Sequence, residues 1–369
     1  YALDPERTAS NSKSPKADPD RAPLDAMVAH VLGDNASGSM PQVAWHEDDW
    51  SGDDVSLPPA PVDVSPRKVP DPPTDAPLRQ RLSFSTLVSG HRAAPTEEAP
   101  ADDEPRAGEA PDIDAGADAA HPELLALASV RGPAFGNALH AAFEHRRQGE
   151  PLLEQQPLLH RELDACGVRP NEVAFDILVP ALARRMDGAL AAGLLPGLSL
   201  GAVPPERQRA AMAFHFRLDA ARLSRLREAC AAHGDPGLVP PLAADRLRGL
   251  MTGKIDLVFE HAGRFHVLDY KGNWLGDRVA DYAGEPLRAA MDHSHYRLQA
   301  LLYTLALHRF LRQRLPDYAP ATHLGEFIYL FVRAAGLGPG AGVYAERFPD
   351  ALVADVDAAF AEADTEATA

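Results

Sequence analysis

The stretch LMTGKIDLVFEHAGRFHVLDYKG, Leu250–Gly272, decides the fold. Its two halves are rich in β-branched and aromatic residues and meet at Ala262-Gly263, so they read as a β-hairpin with a two-residue turn. Glycine supplies the positive φ that such a turn needs. With this turn His261 faces Arg264, and counting outward Asp256 faces Asp269. Two carboxylates directly across a ladder repel and weaken the hairpin. Two readings stay open: a hard divalent cation that wants carboxylate oxygens close together, or two solvated acids. A strand has period 2, so Lys271 shares the face of Asp269. It either forms an ordinary salt bridge there or supplies positive charge where negative charge develops.

Working outward, PAFGNALHAAFEHRRQ (133–148) places Phe135, Leu139, Ala142 and Phe143 at helical spacing. NEVAFDILVPALARRMDGALAAGLL (171–195) reads as one or two helices, and MAFHFRLD (212–219) alternates as a strand. SHYRLQALLYTLALHRFLRQRLP (294–316) predicts a helix ended by Pro316, with Leu301, Leu302, Leu305 and Phe310 in the core. GEFIYLFVRA (325–334) predicts a buried strand, and DALVADVDAAFAEAD (350–364) a final helix. Strands mixed with flanking helices give an α/β or α+β domain.

The 369 residues carry a net charge of −17, unevenly spread. Residues 1–120 hold 10 Lys and Arg against 23 Asp and Glu, while the remainder holds 26 against 30. An acidic, Pro-rich segment is what a solvated linker looks like. We therefore expect a linker, or the end of a missing upstream domain, over 1–80. A lead-in strand or helix start (RLSFSTLVSG, 81–90) and an acidic disordered segment then run to 120, and a globular domain covers 121–369. The chain starts with Tyr1, as a fragment or processed piece would. No signal peptide and no apolar run near 18 residues is present, so export and membrane spanning are not expected. Only Cys166 and Cys230 occur. That is too few for a disulfide framework or a cysteine-held metal cluster, and a reducing cytoplasm fits. TGKI (252–255) lacks the glycine spacing and the Ser or Thr of a Walker A loop, so no ATP site is expected.

The order Asp256, then Asp269-Tyr270-Lys271 on the next strand, resembles the PD-(D/E)xK nuclease signature. More than the signature matches. GKIDLVFEHAGRFHVLDYKGNWLG, YRLQALLYTLALHRFLRQRLPDY and FIYLFVR, with FGNALHAAFE upstream, resemble the C-terminal nuclease domain of the RecB family, the beta subunit of exonuclease V. The resemblance covers most of 81–350. It implies a restriction-endonuclease-like α/β core with a mixed central sheet flanked by helices. It implies Mg²⁺, as one or two ions, held by His140, Asp256, Asp269 and the main-chain carbonyl of Tyr270, with Asp256, Asp269 and Lys271 catalytic. Gln299 and Tyr303 match a Q-x-x-x-Y helix that implies contact with nucleic acid. Their i, i+4 spacing places them on one helix face, where they could equally cap the edge of the core.

The implied activity is hydrolysis of single-stranded DNA fed by a helicase, in double-strand break repair and homologous recombination. The implied partners are RecC, RecD and RecA. Two departures stand out. Ala211 and Ala213 occupy the places where the family usually carries a Glu, which puts a supporting acid in doubt. Gly272 stands where the family usually has Ser. The alternative is a catalytically weakened nuclease fold that serves mainly as a docking module for these partners.

Overall fold

The computed structural model describes residues 80–89, 119–169, 175–241 and 246–361. All lie within one compact unit, Asp75–Ala369. The linker expected over 1–80 falls outside the described residues except for residue 80, and so does nearly all of the acidic segment. The strands are β1 (Gln80–Leu82), β2 (Gly193–Leu195), β3 (Leu198–Ser199), β4 (Gln208–Arg222), β5 (Arg246–His261), β6 (Arg264–Lys271), β7 (Leu324–Phe331) and β8 (Val343–Glu346). The helices are α1 (Phe84–Ser89), α2 (Pro122–Leu125), α3 (Pro133–His145), α4 (Gln156–Ala165), α5 (Phe175–Ala191), α6 (Leu223–Ala232), α7 (Gly284–His293), α8 (Tyr296–Arg314), α9 (Pro320–His323) and α10 (Asp350–Ala361).

The predicted hairpin is β5–β6. Both turn residues take positive φ, 49° at Ala262 and 78° at Gly263, the geometry of a tight turn that matches strand twist. His261 pairs with Arg264 as expected, and the ladder keeps that register to Leu257↔Leu268. β6 then pairs in parallel with β7. Parallel neighbours need a crossover, and α7 and α8 provide it. Among the described residues the sheet has six strands in the order β1-β5-β6-β7-β8, with β4 also on β5. It is mixed, as expected.

Helices cover both faces. On one, α6, α7, α8 and α10 pack on Met251, Ile255, Val258, Val267, Phe327, Tyr329 and Phe331. On the other, α3, α4 and α5 pack on Leu257, Phe259, Leu268, Tyr270, Ile328 and Leu330. The alternation along β6 and β7 sends odd-numbered residues toward α8 and even-numbered ones toward α3. Burial on both faces explains why these strands read as near-continuous apolar runs.

One core residue was misplaced. Leu301, Leu302 and Leu305 are buried, but Phe310 is 40% exposed. α8 is buried on every side through His308; beyond it only Leu311 stays inside, and Phe310 lies on the outer face with Arg314 5.4 Å from its ring.

A buried arginine ties the two layers together. Arg333, 1% exposed at the end of β7, donates to the carbonyls of Gly272 at 2.6 Å, Leu127 at 2.7 Å and Val130 at 2.5 Å. Its guanidinium lies 4.7 Å over Phe135 and 5.6 Å from Trp274. A planar fork suits three acceptors at once; a lysine ammonium does not. Arg333→Ala removes the donor from the Gly272 and Val130 carbonyls, while Leu127 O keeps the Val130 N–H, and is expected to destabilise the domain by about 3 kcal/mol or more. Arg333→Lys should recover only part of this, and urea denaturation of the three proteins measures both.

Candidate active site

β6 carries the centre of the site. Asp269 and Lys271 point toward α8 and are buried, at 2% and 0% exposure. Lys271 Nζ is 2.8 Å from Asp269 Oδ2. Burial raises the Asp269 carboxyl to about 6; Lys271 opposes this shift and the nearby Asp256 adds to it. Lys271 Nζ also lies 4.2 Å from the ring centroid of Tyr296 and 5.4 Å from that of Tyr329. Two aromatic faces attract a desolvated ammonium, and they hold its long chain against one wall.

Behind that wall stand Gln299 and Tyr303. Tyr329 donates its hydroxyl to Gln299 Oε1 at 2.8 Å, and Gln299 Nε2 donates to the Tyr303 hydroxyl at 3.2 Å. Gln299 is 0% and Tyr303 1% exposed. This placement matches the alternative of residues that cap the edge of the core. Burial leaves them no surface to offer, and their polar groups are spent on each other and on Tyr329.

Asp256 reaches the site through an irregularity. Ile255 and Met212 pack on the α8 side, whereas Leu257 and Ala210 pack on the α3 side. Residues two apart on a regular strand share a face, so β4 and β5 both roll over between them. The pairs Ala210↔Leu257 and Met212↔Ile255 bracket the position, which places Ala211 level with Asp256. Ala211 has φ 52°, a left-handed conformation that side chains disfavour. The β4–β5 register runs unbroken through this position, so a change of twist, not an inserted residue, re-aims the Asp256 side chain. Asp256 Oδ2 accepts from the Tyr270 backbone N–H at 2.9 Å, so the two acids lie just past the last regular pair of the hairpin. Ala211, standing where a supporting acid was looked for, contributes backbone shape and no carboxylate.

His140 comes from α3 in the opposite layer. Its Nε2 is 2.7 Å from the Tyr270 carbonyl oxygen and its Nδ1 3.4 Å from Asp256 Oδ1. The structure thus brings together His140, Asp256 and the Tyr270 backbone, with Asp269 and Lys271 beside them. Two carboxylates, an imidazole and a carbonyl are chemically suited to a divalent ion. They are arranged as pairs: among the described residues, no three His, Cys, Asp or Glu side chains form a ready-made cation cluster. His140 Nε2 meets Tyr270 O, Asp256 Oδ2 meets Tyr270 N and Asp269 meets Lys271.

The Gly272 departure has a steric reason. A Cβ there would lie 3.2 Å from the Phe135 ring and 3.5 Å from Leu139, so α3 fills the space a serine would take. Sequence reasoning missed Arg333, Tyr296, Tyr329 and Phe143. Phe143 stacks on Tyr270 with centroids 3.8 Å apart and planes within 1°. Only Arg333 gave a signal, a charge ending the apolar run FIYLFV.

The family model described as "PD-(D/E)XK nuclease superfamily" matches residues 120–367. The chain belongs to the PD-(D/E)XK nuclease superfamily. The RecBCD enzyme subunit RecB of Escherichia coli is 34% identical over 244 residues, which cover 65% of this chain and 20% of that subunit. RecB of Mycobacterium tuberculosis is 37% identical over 313 residues, 74% of this chain and 28% of the relative. RecB of Haemophilus influenzae is 43% identical over 119 residues, 32% of this chain and 10% of the relative. The chain therefore spans 28% or less of the length of these relatives. No helix among the described residues is long and apolar enough to cross a membrane.

The Tyr270 hydroxyl is buried without a hydrogen-bond partner among the described residues. Removing an unsatisfied polar group while keeping the ring is nearly neutral or stabilising. Tyr270→Phe is expected to match or slightly exceed the parent in thermal stability, read by calorimetry. A loss above about 1 kcal/mol would mean that the hydroxyl is paired.

Proposed function

We propose that the domain hydrolyses phosphodiester bonds of single-stranded DNA in a Mg²⁺-dependent reaction, as the nuclease part of a RecBCD-type helicase–nuclease. The observation that carries the reading is the fully buried Asp269–Lys271 pair, 2.8 Å apart, beside His140 and Asp256 in a domain of this superfamily. A structural salt bridge gains little from being placed where desolvation opposes it. A positioned lysine and carboxylate at low dielectric are what charge stabilisation in phosphoryl chemistry needs.

In this reading His140, Asp256, Asp269 and the Tyr270 carbonyl hold the ion. When bound, Mg²⁺ supplies Lewis-acid polarisation of the phosphate and a water of lowered pKa. Lys271, released from its pairing with Asp269, donates to the phosphate oxygens or orients the water. Tyr296 and Tyr329 fix where its ammonium can sit. Asp256 is fixed by the Tyr270 N–H, and His140 by the Tyr270 carbonyl. No recognition helix or zinc finger emerges from the sequence, so cleavage is independent of sequence. The strand is delivered by a motor outside this chain, in the bacterial cytoplasm. RecC, RecD and RecA are the partners this role implies, and double-strand break repair by recombination is its setting.

A second reading is favoured by one observation: Ala211 stands where a supporting acid was looked for. It makes the domain a weakened nuclease that chiefly docks those partners. One experiment separates the two. End-labelled single-stranded DNA is incubated with the parent chain in Mg²⁺ and in EDTA, and with Asp269→Ala and Lys271→Met in Mg²⁺. The nuclease reading expects metal-dependent cleavage that falls by roughly 10²-fold or more in either variant. Cleavage by Asp269→Ala at the parent rate would refute the site. No cleavage by a folded parent chain would favour docking.

A further inference from the structure

A cavity of about 570 Å³ opens at the start of α3 and is lined by Ala128–Arg131, Ala134, Phe135 and Gly167–Arg169. Three features give it a positive character. α3 is 13 residues long, and no side chain caps its first turn, because Gly132 holds the N-cap position. The partial positive charge of that helix end is left for a ligand. Arg131 and Arg169 enter the lining from two separate segments. No acidic side chain lines the cavity. The Ser129 hydroxyl in the wall is buried and has no hydrogen-bond partner among the described residues.

The guanidiniums are lightly engaged. Arg131 Nε donates to the Ala128 carbonyl at 3.1 Å, and its plane lies 4.7 Å over Trp274. Arg169 donates to the Val168 carbonyl at 3.0 Å and lies 3.1 Å from Asp164, an exposed pair that is worth little in water. Both retain N–H groups for an oxyanion, and forked guanidiniums suit phosphate.

The cavity adjoins the catalytic strand. Phe135 forms part of its lining and packs against Gly272. Arg333 bridges Gly272 to Val130, another lining residue. Trp274, on which Arg131 stacks, is three residues beyond Lys271, a reach of about 11 Å at most.

We propose that this cavity is a phosphate-binding subsite for the nucleic-acid strand that occupies the Asp269–Lys271 site, with Arg131, Arg169 and the Ala134 N–H at the start of α3 as its donors, since Pro133 has no N–H and the Phe135 N–H is given to the Gly132 carbonyl. The inference rests on the nuclease reading and adds a place for a second phosphate of the same strand. Phosphate contacts of this kind fix register and carry no sequence preference.

The test is binding of a fluorescein-labelled oligothymidylate by the full chain in EDTA, followed by anisotropy over a range of salt concentrations. Arg131→Gln, Arg169→Gln and the double variant are compared with the parent. The double variant should bind roughly threefold to tenfold more weakly, with a salt slope shallower by about 0.7 for each phosphate lost. Arg169→Gln alone should show part of this; it keeps the test decisive if Arg131→Gln, which also loses its Trp274 stack, fails to fold. An unchanged slope in a folded double variant overturns the inference. So does loss of inorganic phosphate binding, read by calorimetry, with DNA binding intact, since the cavity would then take free phosphate. Asp269→Ala, assayed for cleavage in parallel, reports separately on the nuclease reading.

Discussion

A lysine and an aspartate without access to water sit two residues apart on one strand, and the rest of the site follows from them. Strand period puts both on the face toward α8, inside a layer of leucine and aromatic side chains. There each charge must find its compensation within the protein. They compensate each other, and the Tyr296 and Tyr329 rings flank the ammonium. That requirement accounts for a polar pair on the buried face of α8: Gln299 accepts from Tyr329 and donates to Tyr303 one turn on. It also accounts for the crossover, since only a helix lying directly over β6 and β7 can close this wall.

The second constraint is the joint roll of β4 and β5 at Ala211 and Asp256. A regular hairpin would have left two carboxylates opposed across a ladder. The roll ends the regular pairing one step earlier and gives Asp256 a backbone N–H of Tyr270 to accept from. The Tyr270 carbonyl meanwhile meets His140 from the opposite layer. One peptide segment thus organises donors from both sides of the sheet, and Arg333 keeps α3 in register with the end of β6 by gripping Gly272, Leu127 and Val130.

Much of this was legible in the residues. The hairpin register follows from Ala262-Gly263, because a two-residue turn leaves no slack. α8 and β7 follow from their periodicity and from Pro316. The nearness of Asp256 to Asp269 follows from counting back from the turn. Other features left no local trace. Alanine has no preference for the left-handed conformation it takes at Ala211, so nothing there announces the roll. Gln299 and Tyr303 look the same in sequence whether they face DNA or a buried tyrosine hydroxyl. Phe310 follows an apolar run yet lies on the outer face of α8, while Leu311 beside it is buried. Arg333 needed three carbonyls from distant segments to explain it, and distance in sequence hides such contacts.

The central claim is that His140, Asp256 and Asp269 form one cation site and are not merely packed neighbours. The most direct measurement is Mn²⁺ binding by electron paramagnetic resonance, with Mg²⁺ competition, on the parent chain and on folded His140→Ala and Asp256→Ala variants. The account predicts saturable binding that Mg²⁺ displaces and that weakens by roughly tenfold or more in each variant. Binding of equal strength in all three proteins, or none in the parent, would contradict it.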